Sequence, residues 1–88
     1  MSNRTSDMLA DRSVRYGNFT TNAKVIMSLK RVIAPYEPKL ADDQIEALHM
    51  ICNKIGRILN GDHNYADSWA DIAGYATLVA ERLEQKDA

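Results

Sequence analysis

Residues 58–75 read ILNGDHNYADSWADIAGY, and this stretch decides the fold that the chain predicts. It places three acids, one histidine, three aromatic residues and two glycines around a turn and the start of a helix. Apolar residues recur at helical spacing on both sides of Gly61. We therefore expect two long helices, joined by residues 61–65, that form an antiparallel hairpin.

The helix before the turn has the clearest apolar pattern. We expect it to begin at Ala41 or Asp42, because the acids that follow suit the positive end of a helix dipole. Gly56 inside this helix predicts that another backbone approaches closely, and Gly61 is expected to end the helix in the left-handed conformation. The apolar stripe comprises Ile45, Leu48, Ile51, Cys52, Ile55, Ile58 and Leu59.

The helix after the turn is expected over residues 66–84. We predict that Trp69 lies in the core with its ring N–H bonded to the turn. Several small residues make this helix slim, which favours close packing within the monomer or across a dimer. Its predicted inward face comprises Trp69, Ile72, Ala73, Ala76, Val79, Ala80 and Leu83.

Two shorter helices are predicted before the hairpin, ending near Tyr16 and Ile33. The candidate caps are Ser6 or Asp7 for the first and Thr20 or Thr21 for the second. Pro35 and Pro38 predict an extended connection to the hairpin, because proline disfavours a helix at its own position and just before it. The prediction is a single all-α domain over residues 1–88, frayed at 1–5 and 85–88.

Length, composition and charge exclude several classes of protein. A chain of 88 residues with 45% apolar content builds one small core, so we expect a homo-oligomer, a dimer or higher. The net charge of −1 makes no strong case for DNA, RNA or a membrane. The single Cys52 excludes an intrachain disulfide and a cysteine zinc site. Without an apparent signal peptide or membrane span, we expect a cytoplasmic protein.

Two carboxylates in the stretch are candidate metal ligands. Asp67 and Asp71 lie four apart, so they share one face of a helix. Such a pair can hold Mg²⁺, which prefers oxygen ligands. Alternatively, Asp67 complements the helix dipole and Asp71 is solvated. No cofactor is expected unless the protein is a Mg²⁺-dependent enzyme.

Basic and aromatic residues form the candidate ligand-binding set. Lys54 and Arg57 lie three apart near the end of the helix before the turn, where they form either ion pairs across the hairpin or a phosphate-binding pair. Tyr75 is a candidate to close a pocket.

A second group lies near the N-terminus. Arg15 and Tyr16 precede Gly17, and an arginine beside a tyrosine suits contact with a phosphate and stacking on a base. Alternatively, Tyr16 and Phe19 form a hydrophobic staple that pins the next helix to the hairpin.

These segments together resemble a known family. RYGNF at residues 15–19, KIGRIL at 54–59 and DSWADIAGY at 67–75 are similar to a small helical domain of unknown function that is common in bacteriophage and prophage genomes. The resemblance covers about residues 11–83. The run D-S-W-x-D-I-A-G-Y is its most specific part.

The chain is also distantly similar to the MazG-like all-α NTP pyrophosphatases. In those enzymes an E-x-x-E pair and an E-x-x-D pair bind Mg²⁺ around a triphosphate. The resemblance implies that Asp71 matches the final acid, but residue 68 is Ser where the family has Glu. Lys54 and Arg57 stand where the other glutamates are expected, which removes the metal cage and leaves a place for phosphate.

Three functions follow as expectations. The first is a non-catalytic binding protein of phage type, in the host cytoplasm, that sequesters a nucleotide or blocks a host defence protein. The second is a Mg²⁺-dependent NTP pyrophosphohydrolase that uses Asp67 and Asp71. The third is a structural or regulatory helical dimer.

Overall fold

The computed structural model describes residues 15–87, with side chains to residue 85, and these residues form three α-helices and no strand. Helix α1 is Phe19–Ile33, a 3-10 helix is Ala34–Lys39, α2 is Asp42–Asn60 and α3 is Ala66–Asp87. The predicted all-α class is therefore confirmed. The first predicted helix lies outside the described residues, except that Arg15 and Tyr16 are helical.

The N-cap of helix α1 lies two or three residues before the threonines that the sequence predicted for it. Asn18 is the N-cap, and its side-chain oxygen accepts a hydrogen bond of 3.2 Å from the backbone N–H of Thr21. The prediction of Thr20 or Thr21 as the cap is wrong, because Asn18 already satisfies a free N–H of the first turn. Phe19, just inside the helix, is 84% exposed, so the predicted staple does not include it.

The sequence predicts an extended connection at Pro35 and Pro38, and this prediction is wrong because the segment is helical. Residues 34–39 form a 3-10 helix, which tolerates Pro35 because the first N–H groups of a helix have no partner inside it. His49 Nε2 lies 3.1 Å from a carboxylate oxygen of Glu37 and ties this segment to α2.

Close contact between α1 and α2 depends on Gly56, as predicted. A Cβ at Gly56 would lie 2.6 Å from Cγ1 of Ile26 and 3.6 Å from the carbonyl oxygen of Asn22. A side chain at this position would force the Ile26 side chain or α1 itself to move, so the glycine permits the observed distance between the two helices.

Two ion pairs join α2 to α3. Asp43, at the start of α2, contacts Arg82, near the end of α3, at 2.7 Å. Lys54, later in α2, contacts Asp71, early in α3, at 3.0 Å. The pairs therefore run in opposite order along the two helices. Helix α2 begins where predicted, and the Gln44 side chain accepts a hydrogen bond of 2.9 Å from the backbone N–H of Ala41.

The described residues bury few apolar side chains. Ala47, Cys52 and Ile58 are the buried apolar residues, and burial raises the pKa of the Cys52 thiol. Trp69 donates its ring N–H to the carbonyl of His63 at 2.9 Å, as predicted, but it is 55% exposed, so its placement in the core is wrong.

Helix α3 also differs from its prediction in length and in its buried face. It continues three residues beyond the predicted end. On the predicted inward face only Ile72 and Val79 are half-buried, because the side of α3 that meets α2 also includes the buried Ser68. The exposed remainder comprises Trp69, Ala73, Ala76, Ala80 and Leu83. No helix within residues 15–87 is both long and apolar enough to cross a membrane.

Candidate anion-binding site

Two backbone segments cross at the end of α2. The N–H of Asp62 donates a hydrogen bond of 2.9 Å to the carbonyl of Arg15. Gly17 has φ +82, and a Cβ there would collide with the carbonyl of Asn60. A Cβ at Gly61 would collide with the carbonyl of Arg15. The crossing therefore requires glycine in both backbone segments.

Gly61 serves this crossing rather than the helix end that was predicted for it. Its φ of −118 and ψ of −139 lie outside the left-handed region. The prediction of a left-handed residue at Gly61 is wrong, and the reason for glycine is the nearness of residue 15. Local sequence carries no sign of this contact, since its partner is distant along the chain.

Asn22 of α1 fastens the same segment from the other side. Its side-chain amide donates a hydrogen bond to the carbonyl of Tyr16. Asn22 is buried, and its side-chain oxygen has no hydrogen-bond partner among the described residues. Residues 15 and 16 are thus held between α1 and the turn that follows α2.

This anchoring brings two arginines and two tyrosines together, a group we call the Arg–Tyr cluster: Arg15, Tyr16, Arg57 and Tyr65. The rings of Tyr16 and Tyr65 meet edge to face, with centroids 6.1 Å apart and planes at 74°. The guanidinium carbon of Arg57 lies 4.4 Å from the Tyr16 centroid. That of Arg15 lies 5.5 Å from the Tyr65 centroid. Each arginine is therefore held over a ring by a cation–π contact.

Neither arginine forms an ion pair with an acid in the described part of the chain, although the carboxylate of Asp67, bonded to the Tyr65 hydroxyl, lies at the edge of the cluster. The ion pairs within residues 15–85 are Glu37–His49, Asp71–Lys54 and Asp43–Arg82, and none involves Arg15 or Arg57. A guanidinium that rests on a ring keeps its N–H donors at its edge, where they can form paired bonds to a phosphate. The cluster therefore has the chemistry of an anion-binding site.

Tyr65 is the member of the cluster that sequence reasoning missed. Its hydroxyl donates a hydrogen bond of 3.1 Å to Asp67, and this bond, with the negative charge of Asp67, raises the pKa of Tyr65. A tyrosine at the end of the polar turn 61–65 was visible in the sequence. Its pairing with Tyr16 was not, because that contact depends on the backbone crossing.

Lys54 and Tyr75, two other predicted ligand-binding residues, lie elsewhere. Lys54 is 8% exposed and points toward α3, where it pairs with Asp71. Of the two alternatives for Lys54, the structure contains the ion pair. Tyr75 lies with Leu78 in shallow grooves beside α3. The structure therefore groups Arg15, Tyr16 and Arg57 and separates them from these two residues.

The candidate metal ligands Asp67 and Asp71 each contact another side chain. Asp67 accepts the hydrogen bond from Tyr65, and Asp71 forms an ion pair with the ammonium of Lys54. Among the described residues no group of three histidine, cysteine or acidic side chains is placed to hold a metal ion. The lysine ammonium beside Asp71 opposes the binding of a cation there.

Fold and cluster define a small all-α domain with a cationic, tyrosine-lined site. The chain belongs to the family described as a domain of unknown function (DUF6378), whose match covers residues 3–83. The predicted membership in a small domain family of unknown function, over nearly the whole chain, is thus confirmed. No curated protein and no solved structure matches this chain.

Proposed function

We propose that this protein is a non-catalytic binding protein whose ligand is a nucleotide, held by its phosphates at the Arg–Tyr cluster. The observation that carries the proposal is the placement of Arg15 and Arg57 on tyrosine rings, without an acidic partner in the described residues. Arginine is the side chain best suited to paired hydrogen bonds with phosphate oxygens.

Preorganisation supports this reading. The crossing at Gly17 and Gly61 and the bond from Asn22 fix the backbone of Arg15, while α2 carries Arg57. A ligand then meets arginines whose positions are already restricted, which lowers the entropic cost of binding. Tyrosine rings beside them offer aromatic surface to a base.

The state of the carboxylates favours binding over catalysis. A MazG-like site needs acids that are free to hold Mg²⁺, whereas Asp71 pairs with Lys54 and Asp67 with Tyr65. Residue 68, where those enzymes carry a glutamate, is a buried serine. The Mg²⁺-dependent pyrophosphohydrolase is therefore the weaker candidate.

The proposal extends to the role that the resemblance implied. In this role the protein is phage-encoded, acts in the host cytoplasm and sequesters a nucleotide, or blocks a host defence protein that uses one. Helices α2 and α3 act as an antiparallel hairpin that presents the cluster at one end, and the hairpin associates with a second copy of the chain.

Calorimetry with ATP, GTP and pyrophosphate, each with and without Mg²⁺, tests this function. We expect binding that does not require Mg²⁺ and that falls at least ~10-fold in Arg15→Ala and in Arg57→Ala. Arg31→Ala is the matched control, because Arg31 is an exposed arginine of α1 outside the cluster. It should bind like the wild type.

Three results would overturn the proposal. If Arg31→Ala weakens binding as much as the cluster variants, the attraction is only that of net charge. If none of the probes binds, the protein is not a nucleotide-binding protein. Release of pyrophosphate from ATP that requires Mg²⁺ and is abolished by Asp71→Asn would establish the enzyme instead.

A further inference from the structure

One side of α3 is an apolar strip that nothing in the described residues covers. Five residues of α3 repeat at spacings of four, three, four and three, which is the pattern of a coiled-coil seam. All five are exposed, and the two large ones, Trp69 and Leu83, are 55% and 39% exposed. We call this strip the α3 seam, and it comprises Trp69, Ala73, Ala76, Ala80 and Leu83.

We propose that the α3 seam is the interface of a homodimer, in which α3 of a second copy packs antiparallel with the twofold axis at Ala76. The proposal concerns a different surface from the Arg–Tyr cluster and does not depend on it. A parallel partner or a different protein would use the same strip differently, and the experiments below distinguish those cases.

The order of side-chain sizes along the seam favours an antiparallel second copy. Three alanines occupy its centre, and the large Trp69 and Leu83 occupy its ends. Rotation about Ala76 places Trp69 of one copy opposite Leu83 of the other, and it brings Ala73 to within one residue, about 1.5 Å along the helix, of the level of Ala80. The helix backbones can then approach closely at the centre while the large side chains pack at both ends.

The residues that flank the seam permit this arrangement electrostatically. On its solvent side lie Ala70, Thr77 and Glu84, all exposed. In the antiparallel arrangement about Ala76, Thr77 lies within two residues of the level of its own copy, and Glu84 lies opposite Ser68 and near Ala70, so like charges are not opposed. The hydroxyl of Thr77 already donates to the carbonyl of Ala73 at 2.7 Å, so it can be buried without loss.

A groove on the other flank receives the partner helix. Leu40, Leu48 and Ile51 line it together with Ala76 and Val79, at the junction of α2 and α3. A helix placed on the seam would contact this groove as well and would complete a four-helix arrangement from the α2–α3 pairs of two chains.

The N-terminal segment of the same chain fits the seam less well by its composition. Its large apolar residues are Met1, Met8, Leu9 and Val14, and none lies three or four positions from another. A second copy of α3 instead offers the same spacing of four, three, four and three. The seam extends about 21 Å along the helix, which a matching helix covers fully.

Sedimentation equilibrium of the full chain, with Trp69 emission followed in parallel, tests the interface. We expect a mass of about twice 9.9 kDa and a blue shift of the single tryptophan as the concentration rises. Ala76→Arg places two like charges on the axis and should weaken the dimer at least ~100-fold. The matched control is Leu78→Arg, because Leu78 is exposed on the same helix but lies off the seam.

Two outcomes would overturn the proposal in this experiment. One is a chain that stays monomeric at millimolar concentration. The other is a dimer that Leu78→Arg weakens as much as Ala76→Arg does. Circular dichroism of each variant verifies that the helices are retained, so that a loss of association is not a loss of folding.

Cross-linking tests the orientation independently of stability. In a Cys52→Ala background, Ala76→Cys should form a disulfide with its own copy under mild oxidation, because Ala76 lies on the axis. Ala73→Cys and Ala80→Cys chains should cross-link with each other when mixed and not with themselves. Self-linkage of all three variants would indicate a parallel pair, and linkage of none would remove the seam from the interface.

Discussion

The guanidinium of Arg57, on α2, rests 4.4 Å from the ring centroid of Tyr16, which precedes α1. The contact exists because the chain segment that carries Tyr16 crosses the turn at the end of α2. By its sequence position Arg57 could equally have formed a surface ion pair. The contact with Tyr16 places it in the Arg–Tyr cluster instead.

The first prediction concerns the shape of the cation at this position. Arg57→Lys keeps the charge but loses the planar fork that binds two phosphate oxygens at once. We expect affinity for ATP, measured by calorimetry, to fall about 10-fold. Arg31→Lys is the control and should leave the affinity unchanged. Equal affinity in Arg57→Lys would mean that only net charge matters there.

The second prediction concerns the backbone crossing. Gly17→Ala and Gly61→Ala each place a Cβ against a carbonyl of the other segment. Each should lower the free energy of unfolding in urea by about 2 kcal/mol or more. At Gly74, in α3, a Cβ meets nothing within 4 Å.

Gly74→Ala is therefore the matched control for the crossing. It should raise the free energy of unfolding by about 0.5–1 kcal/mol, because alanine favours a helix more than glycine does. If all three variants shift stability in the same direction, the crossing is not the reason for Gly17 and Gly61.

The third prediction concerns the buried ammonium of Lys54. Asp71→Ala removes its partner and should lower the free energy of unfolding by about 1–3 kcal/mol, because an unpaired buried charge is costly. Lys54→Met should cost less, since Asp71 on the solvent side can be hydrated. Asp43→Ala breaks the exposed pair with Arg82 and should cost about 0–1 kcal/mol.

This series also has a clear contrary outcome. If Asp43→Ala costs as much as Asp71→Ala in chemical unfolding, burial of Lys54 is not the cause. If Lys54→Met lowers the free energy of unfolding more than Asp71→Ala does, the lysine contributes chiefly by its packing.

The fourth prediction concerns pH. The hydrogen bond to Asp67, together with that residue's charge, raises the pKa of Tyr65 above its usual value near 10. A raised pKa in the folded state stabilises the fold below pH 10, and this contribution is lost as the pH rises through the folded pKa. A pH titration followed by tyrosinate absorbance should therefore contain one step at a pH above the usual tyrosine value.

Two variants assign that step. Tyr65→Phe should remove it, and Asp67→Ala should move it to lower pH, because both the acceptor and the negative charge are gone. The chain has four tyrosines, so the difference in absorbance between wild type and Tyr65→Phe isolates the contribution of Tyr65. A late step that persists in Tyr65→Phe would belong to another tyrosine.

Three of the four residues of the candidate site were predictable from local pattern. Arg15 beside Tyr16, and Arg57 on the helix before the turn, carry functional groups whose chemistry is visible in the sequence. Their grouping was not visible, because it depends on a crossing between distant segments. In the sequence Lys54 and Arg57 are two similar basic residues, three positions apart. On α2 they point in different directions, Lys54 toward Asp71 and Arg57 toward Tyr16.

By itself the sequence determined the all-α class and the approximate positions of α1, α2 and α3, because apolar spacing acts within a few positions of the chain. Only the tertiary structure decided that Gly61 serves a crossing, that Lys54 pairs with Asp71, and that the seam of α3 is exposed. Helical periodicity states that a residue lies on an apolar face. Which neighbour covers that face depends on how the helices pack, and for Trp69 none of the described residues buries it fully.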